Sequence, residues 1–314
     1  MSTSDIIVQH LKQFALDDKK NIIYLIYYSI VEAILLLISP LTSAFIINSV
    51  LAHATISITV LSIVVIVIFM MIVMLQVIKS YILEKVEQSI FVKNSMRISS
   101  LATQAKGSMN QEEIDKYMNY FFDVISIQKL LPVLFMNMSG LLIKLIVALL
   151  LLLFFDVTLF AAVLVFTALF MVSVYLLGKN GPAVAIERSN AKHEAIHYLQ
   201  TIPLKKENSS VVLKGLDKLL VHFIHAREKM FRIVVKQLSL AFFVEGVMLS
   251  SFFILGGYLV FEGIMPIGEF VAAEIIIIAL ANSLRDFVKQ VDYIYDMIEG
   301  FYKVEKLSDL LKKG

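Results

Sequence analysis

The run HEAIH, His193 to His197, matches H-E-x-x-H. On a helix that spacing sets two imidazoles on one face, where they can hold Zn²⁺ while Glu194 acts as general base. Catalysis needs a third protein ligand. His222 and His225 stand about as far beyond the next turn as His193 and His197 stand before it, so antiparallel arms would bring the two pairs together. The pattern is short and frequent by chance, and the weightier reading is four ordinary histidines on solvated helices.

A second set of ionisable residues sits in apolar surroundings: Glu32, Lys144, Glu245 and Glu274. A lone charge at mid-bilayer costs about 2.5–3.5 kcal/mol on the gentler insertion scale. Such side chains are expected to face a protein interior or a wet cavity, as parts of a substrate path or as structural ion pairs. Lys144 lies in GLLIKLIVALLLLLFFD, with no counter-charge nearby in sequence. Both headgroup layers are roughly 12–18 Å away along a helix and a Lys reaches only about 6 Å, so a carboxylate partner is expected.

These residues need membrane helices to hold them, and the composition provides for that. The chain has 314 residues, 59% of them hydrophobic, and a mean hydropathy of +0.82. A soluble domain is nearer half apolar. There is no Cys, hence no disulfide framework or thiolate metal site. Six apolar segments reach span length, at 21–48, 58–78, 136–155, 157–178, 237–260 and 268–290. The connections near 49–57, 156 and 261–268 hold no Lys or Arg, whereas Lys19 and Lys20, Lys85 to Lys129, Lys179 to Lys236 and Lys303 to Lys313 crowd the other side. The positive-inside rule then predicts cytoplasmic termini and cytoplasmic long loops. Residues 1–20 lack a basic n-region; Ile7, Leu11, Phe14 and Ala15 share one face and predict an interfacial helix. Pro40 is expected to kink the first span, and Gly256 and Gly257 to permit close approach or a flexible gate.

Helical pattern continues well past the bilayer. From Ile58 to about Leu101 no Pro or Gly intervenes, which amounts to roughly 65 Å of helix. The segment 179–236 reads as two arms of similar reach joined near TIPLKKENSS. Six spans with two helical stalks resemble the membrane domain of ABC exporters. GGYLVFEGIMPIGEFVAAEIII resembles the family's fifth-to-sixth span junction. NYFFDVISIQKLLP (119–132) and ERSNAKHEAIHYLQTIP (187–203) resemble the stalks of bacterial type I secretion and peptide exporters.

The resemblance implies an all-α, six-span subunit in the plasma (inner) membrane, paired with a second transmembrane chain and working by alternating access, with no nucleic-acid partner. Members usually continue into a nucleotide-binding domain. These 314 residues contain no G-x-x-x-x-G-K-[ST], so a separate ATPase subunit carrying ATP and Mg²⁺ is expected to dock on two stalk turns. The coupling candidates are Lys106, Gln111 and Glu112 near 104–112, and Pro203, Lys205 and Lys206 near 201–212. In such exporters the third and fifth spans share a wing, which favours Glu245 over Glu32 as the partner of Lys144. The rival readings are a membrane zinc protease using His193, Glu194 and His197, and a proton-coupled carrier using Glu32, Lys144 and Glu245.

Overall fold

A computed structural model describes residues 19–53, 58–104 and 137–313. The elements are α1 (Lys19–Leu36), α2 (Ile38–Leu51), α3 (Ile58–Gln104), α4 (Asn137–Phe155), α5 (Val157–Gly178), α6 (Gly181–Thr201), a 3₁₀ turn (Ile202–Leu204), α7 (Ser209–Phe261) and α8 (Ile267–Lys313). The described residues form six helices or helix pairs long and apolar enough to cross a membrane. The interfacial helix expected at 1–20 and the turn near 104–112 lie largely outside the described residues.

The first span is broken at Leu37, between α1 and α2. Pro40 supplies no N–H and its ring crowds the carbonyl four residues back, so the helix opens one turn before it. At the connection between the third and fourth spans α5 starts cleanly. Asp156 Oδ1 accepts hydrogen bonds from Thr158 N (2.7 Å) and Leu159 N (2.9 Å), which caps the helix after a one-residue connection. α7 ends where Gly263 takes φ +72°, and Ile264 N and Met265 N both return to the Leu259 carbonyl, at 2.9 and 3.1 Å. Met265 is buried there and Pro266 precedes α8.

One apolar core runs from Ala148 to Ile298 and is built from α4, α5, α6, α7 and α8. Phe170, Leu152, Met248, Phe252, Ile277 and Leu284 are among its large, fully buried side chains. α1 to α3 join differently. α2 packs on α8, and α1 packs on α3. Gly268 makes the first of these contacts possible: its N–H donates to Asn48 Oδ1 (2.9 Å), and a Cβ there would collide with the Ala44 carbonyl and the Asn48 side chain. Gly256 lies under the Phe270 ring, which stacks on Phe252 with centroids 4.8 Å apart; Gly257 has open space around it.

The helices overrun the bilayer. α3 has 47 residues, α7 has 53 and α8 has 47, or roughly 70–80 Å each against a hydrocarbon core of about 30 Å. The excess forms a stalk, in which α6, α7 and α8 pack on one another.

Candidate functional site

Within the spans the polar side chains converge on Glu32 of α1. Its carboxylate is buried and lies against α3, whose Gln76 and Lys79 point the same way because they are three residues apart on one face. Gln76 Nε2 donates to Glu32 Oε1 (3.2 Å) and Lys79 Nζ donates to Glu32 Oε2. Lys144 Nζ of α4 stands 4.0 Å from Glu32 Oε1, outside hydrogen-bonding distance. Lys79 is 10% exposed at its side chain, whereas Lys144 is 41% exposed.

Lys144 borders two adjoining cavities. The larger, about 450 Å³, has an aliphatic wall from α1, α2, α4 and α8, including Ala33, Leu36, Val147, Ile276 and Leu280. The smaller, about 260 Å³, is polar and is lined by Lys79, Lys144, Asn137, Asp286 and Gln290. Asn137 Nδ2 donates to Gln290 Oε1 (3.4 Å), and Lys289 Nζ donates to Asp286 Oδ1 (2.8 Å).

The expected Lys144–Glu245 pair does not form. Lys144 faces Glu32, while Glu245 Oε2 sits 3.3 Å from Arg285 Nη1 without hydrogen-bond alignment. The reason is topological: α4 presents Lys144 to α1 across the cavities, and Glu245 on α7 is turned to α8. Arg285 also lies over the Phe242 ring, 5.2 Å from its centroid. Glu274 is half-buried on α8 and has no ion-pair partner among the described residues. Lys79 escaped notice because an apolar count ends the second span at 78, and Gln76, inside that span, because it carries no charge. Arg285 lies inside 268–290 and was readable as a buried charge.

At the root of the stalk, polar groups tie three helices together. Gln237 of α7 is fully buried. Its Nε2 donates to the Val174 carbonyl (3.0 Å) and lies 3.3 Å from Tyr295 Oη of α8, which donates to the Gly178 carbonyl (3.3 Å). Gly178 and Gly181, flanking the break between α5 and α6, leave room for that ring, where a Cβ would strike it. Lower down, Arg188 Nη2 of α6 donates to Asp296 Oδ1 (2.5 Å) and Glu299 Oε2 (2.7 Å) of α8.

The stalk tip is the turn 202–208. Tyr198 organises it: its hydroxyl donates to the Val212 carbonyl (3.0 Å), its ring covers Gly215, and Lys205 Nζ sits 3.3 Å above the ring centroid. Pro203 and Lys206 are exposed on the turn. Leu204, unremarked in the sequence, is 81% exposed between them. Lys106, Gln111 and Glu112 lie outside the described residues. His193 Nδ1 bonds the Ser189 carbonyl (3.1 Å), and His225 Nδ1 lies 3.9 Å from Glu228 Oε2. Among the described residues no three His, Asp or Glu side chains gather as a metal site.

No family model and no curated protein matches the chain. Solved structures do. One is a bacterial Atm1-family ABC exporter with ATP bound, with a TM-score of 0.72 over 93% of this chain at 12% identity. This is the fold of an ABC exporter membrane domain. The chain spans 54% of that exporter's length. The exporter fold accounts for helices that overrun the bilayer and for a stalk tip far from the spans, neither of which a simple bundle of membrane helices requires.

Proposed function

We propose that the chain is the membrane-spanning domain of an ATP-driven exporter, forming half of a twelve-helix substrate pathway with a second transmembrane chain. The observation that carries this reading is the exporter fold over 93% of the chain, long stalk included. The charge asymmetry orients it with the stalk in the cytoplasm, in the plasma (inner) membrane. ATP and Mg²⁺ belong to an ABC ATPase partner, which docks at 202–208 on the exposed Leu204 between Pro203 and Lys205.

The stalk bonds support a lever. Motion imposed at the tip reaches α6 and α7. Arg188 passes it from α6 to α8 through Asp296 and Glu299, and Gln237 with Tyr295 passes it on at the stalk root. α8 carries Ile276, Leu280 and Asp286 into the cavity walls, so closure of the ATPase reshapes the pathway between inward- and outward-open states.

The test is reconstitution of the chain with an ABC ATPase from its own membrane. The chain should stimulate hydrolysis, and Leu204→Asp with Lys205→Glu and Lys206→Glu should remove the stimulation while leaving the partner's basal rate. Absence of stimulation by any such ATPase would overturn the reading. So would labelling of Ser209→Cys by an impermeant maleimide in intact cells.

A further inference from the structure

We infer that the two adjoining cavities form one binding site for an amphipathic anion, an acyl chain ending in a carboxylate or phosphate. The role of this ligand as cargo rests on the exporter reading; the site itself does not.

The argument begins with charge. Among the described residues, every charged group lining the polar cavity except Lys144 has a closer partner. Lys79 is spent on Glu32, and Asp286 is spent on Lys289. Among the described residues Lys144 has only the Glu32 oxygen at 4.0 Å, and its side chain is 41% exposed at bilayer depth. An ammonium there has no hydrogen-bonded counter-ion, which is costly at that depth. An anionic head in the smaller cavity would supply that partner.

The second observation is the wall beside it. The larger cavity, about 450 Å³, falls in the range of roughly 300–1,000 Å³ of small-molecule sites. Among the described residues its lining is mostly aliphatic, with Phe69 its single aromatic and Ser39, Asn282 and Ser283 its uncharged polar side chains. A peptide would bring backbone N–H and C=O groups that such a wall leaves unsatisfied. A hydrocarbon chain brings none. Lys144, Leu141 and Asp286 line both cavities, so head and tail positions are continuous.

The experiment uses the full chain in nanodiscs of zwitterionic lipid, without nucleotide, so that a failed ATPase test leaves its result intact. The probe is a photoreactive long-chain fatty acid, with its methyl ester and the corresponding amine as controls. The acid should label peptides of α4 and α8 saturably, and the ester and amine much less. Lys144→Gln should weaken labelling about tenfold or more, as expected for loss of a charge-assisted hydrogen bond worth about 1.5–3 kcal/mol. Lys144→Arg should retain most of it. Ala279→Trp fills the aliphatic cavity from an exposed position, keeps Lys144, and should also lose labelling. Unlabelled palmitate and lysophosphatidate compete in separate arms, and the better competitor names the head group. Equal labelling by acid and ester, indifference to both Lys144→Gln and Ala279→Trp in folded protein, or competition by neither lipid would overturn the inference.

Discussion

The second and last spans are both apolar, yet they are held in opposite ways. Of the most apolar stretch of Ile267–Gly300, 44% is buried; of that of Thr59–Lys93, only 6% is. The last span sits in the core among Phe252, Met248 and Leu159. The second is anchored to α1 through Gln76 and Lys79 at Glu32. Lipid tails are as apolar as Leu, so an exposed greasy face creates no drive to associate; tight packing or polar bonds must do it. The molecule uses packing for α4 to α8 and a polar tie for α1 with α3. This division fits the proposed exporter function, because a helix held at few points can move without dismantling a core.

Breaking the polar tie should have the largest effect. Lys79→Met strands the Glu32 carboxylate, and losing one partner of a buried pair costs about 3–5 kcal/mol. Folded yield in detergent should fall sharply. Lys79→Met with Glu32→Gln should recover much of it, since no stranded buried carboxylate remains and the half-exposed Lys144 loses only a counter-charge 4.0 Å away. A double variant as impaired as the sum of the singles would show that α3 is not held by this pair.

Arg188→Ala comes next. It leaves Asp296 and Glu299 beside Asp292 with their shared cation gone, and charged hydrogen bonds of this kind are worth about 1.5–3 kcal/mol. The melting temperature should drop, and ATPase stimulation should fall further than the stability loss alone accounts for. Unchanged stimulation in a folded variant would remove Arg188 from the lever. Gly268→Ala should cost about 1–3 kcal/mol as the added Cβ forces α8 off Ala44. If it melts with the wild type, the close α2–α8 contact is not needed.

How much of this the sequence disclosed follows the same division. Apolar runs longer than a bilayer and charge confined to alternate connections made six spans and a stalk readable, because hydrophobic length and net charge are one-dimensional quantities. Pro40 announced its break through chemistry confined to a single turn. Pairing is different. Glu32 could be recognised as needing a partner, but its partner depended on which helix packs on α1. Lys144 was assigned to Glu245 by analogy of wings, and the face of α4 that carries it looks toward α1, which made it a neighbour of Glu32 instead. Leu204 and Tyr198 were silent because an exposed leucine or a ring over a glycine has meaning only once the turn exists.

The smallest effect tests where the lipid ends. Lys229 Nζ donates to Glu187 Oε1 at 2.6 Å, a bond as short as those around Arg188. Yet both side chains are open, at 56% and 38% exposed. If this part of the stalk stands in water, the pair exchanges one set of good partners for another and its charges are screened. Exposed pairs of this kind contribute about 0.2–1 kcal/mol. Lys229→Ala should therefore move the melting temperature barely, and raising the salt from about 0.15 M to 1 M, which shortens the screening length from about 8 to 3 Å, should erase the difference. Lys79→Met should keep its full penalty at either salt concentration, because the bilayer excludes the ions. If Lys229→Ala proves as damaging as Lys79→Met and as indifferent to salt, Glu187 and Lys229 lie in a low-dielectric layer, and the contrast between an aqueous stalk and lipid-bathed spans fails at that level of the molecule.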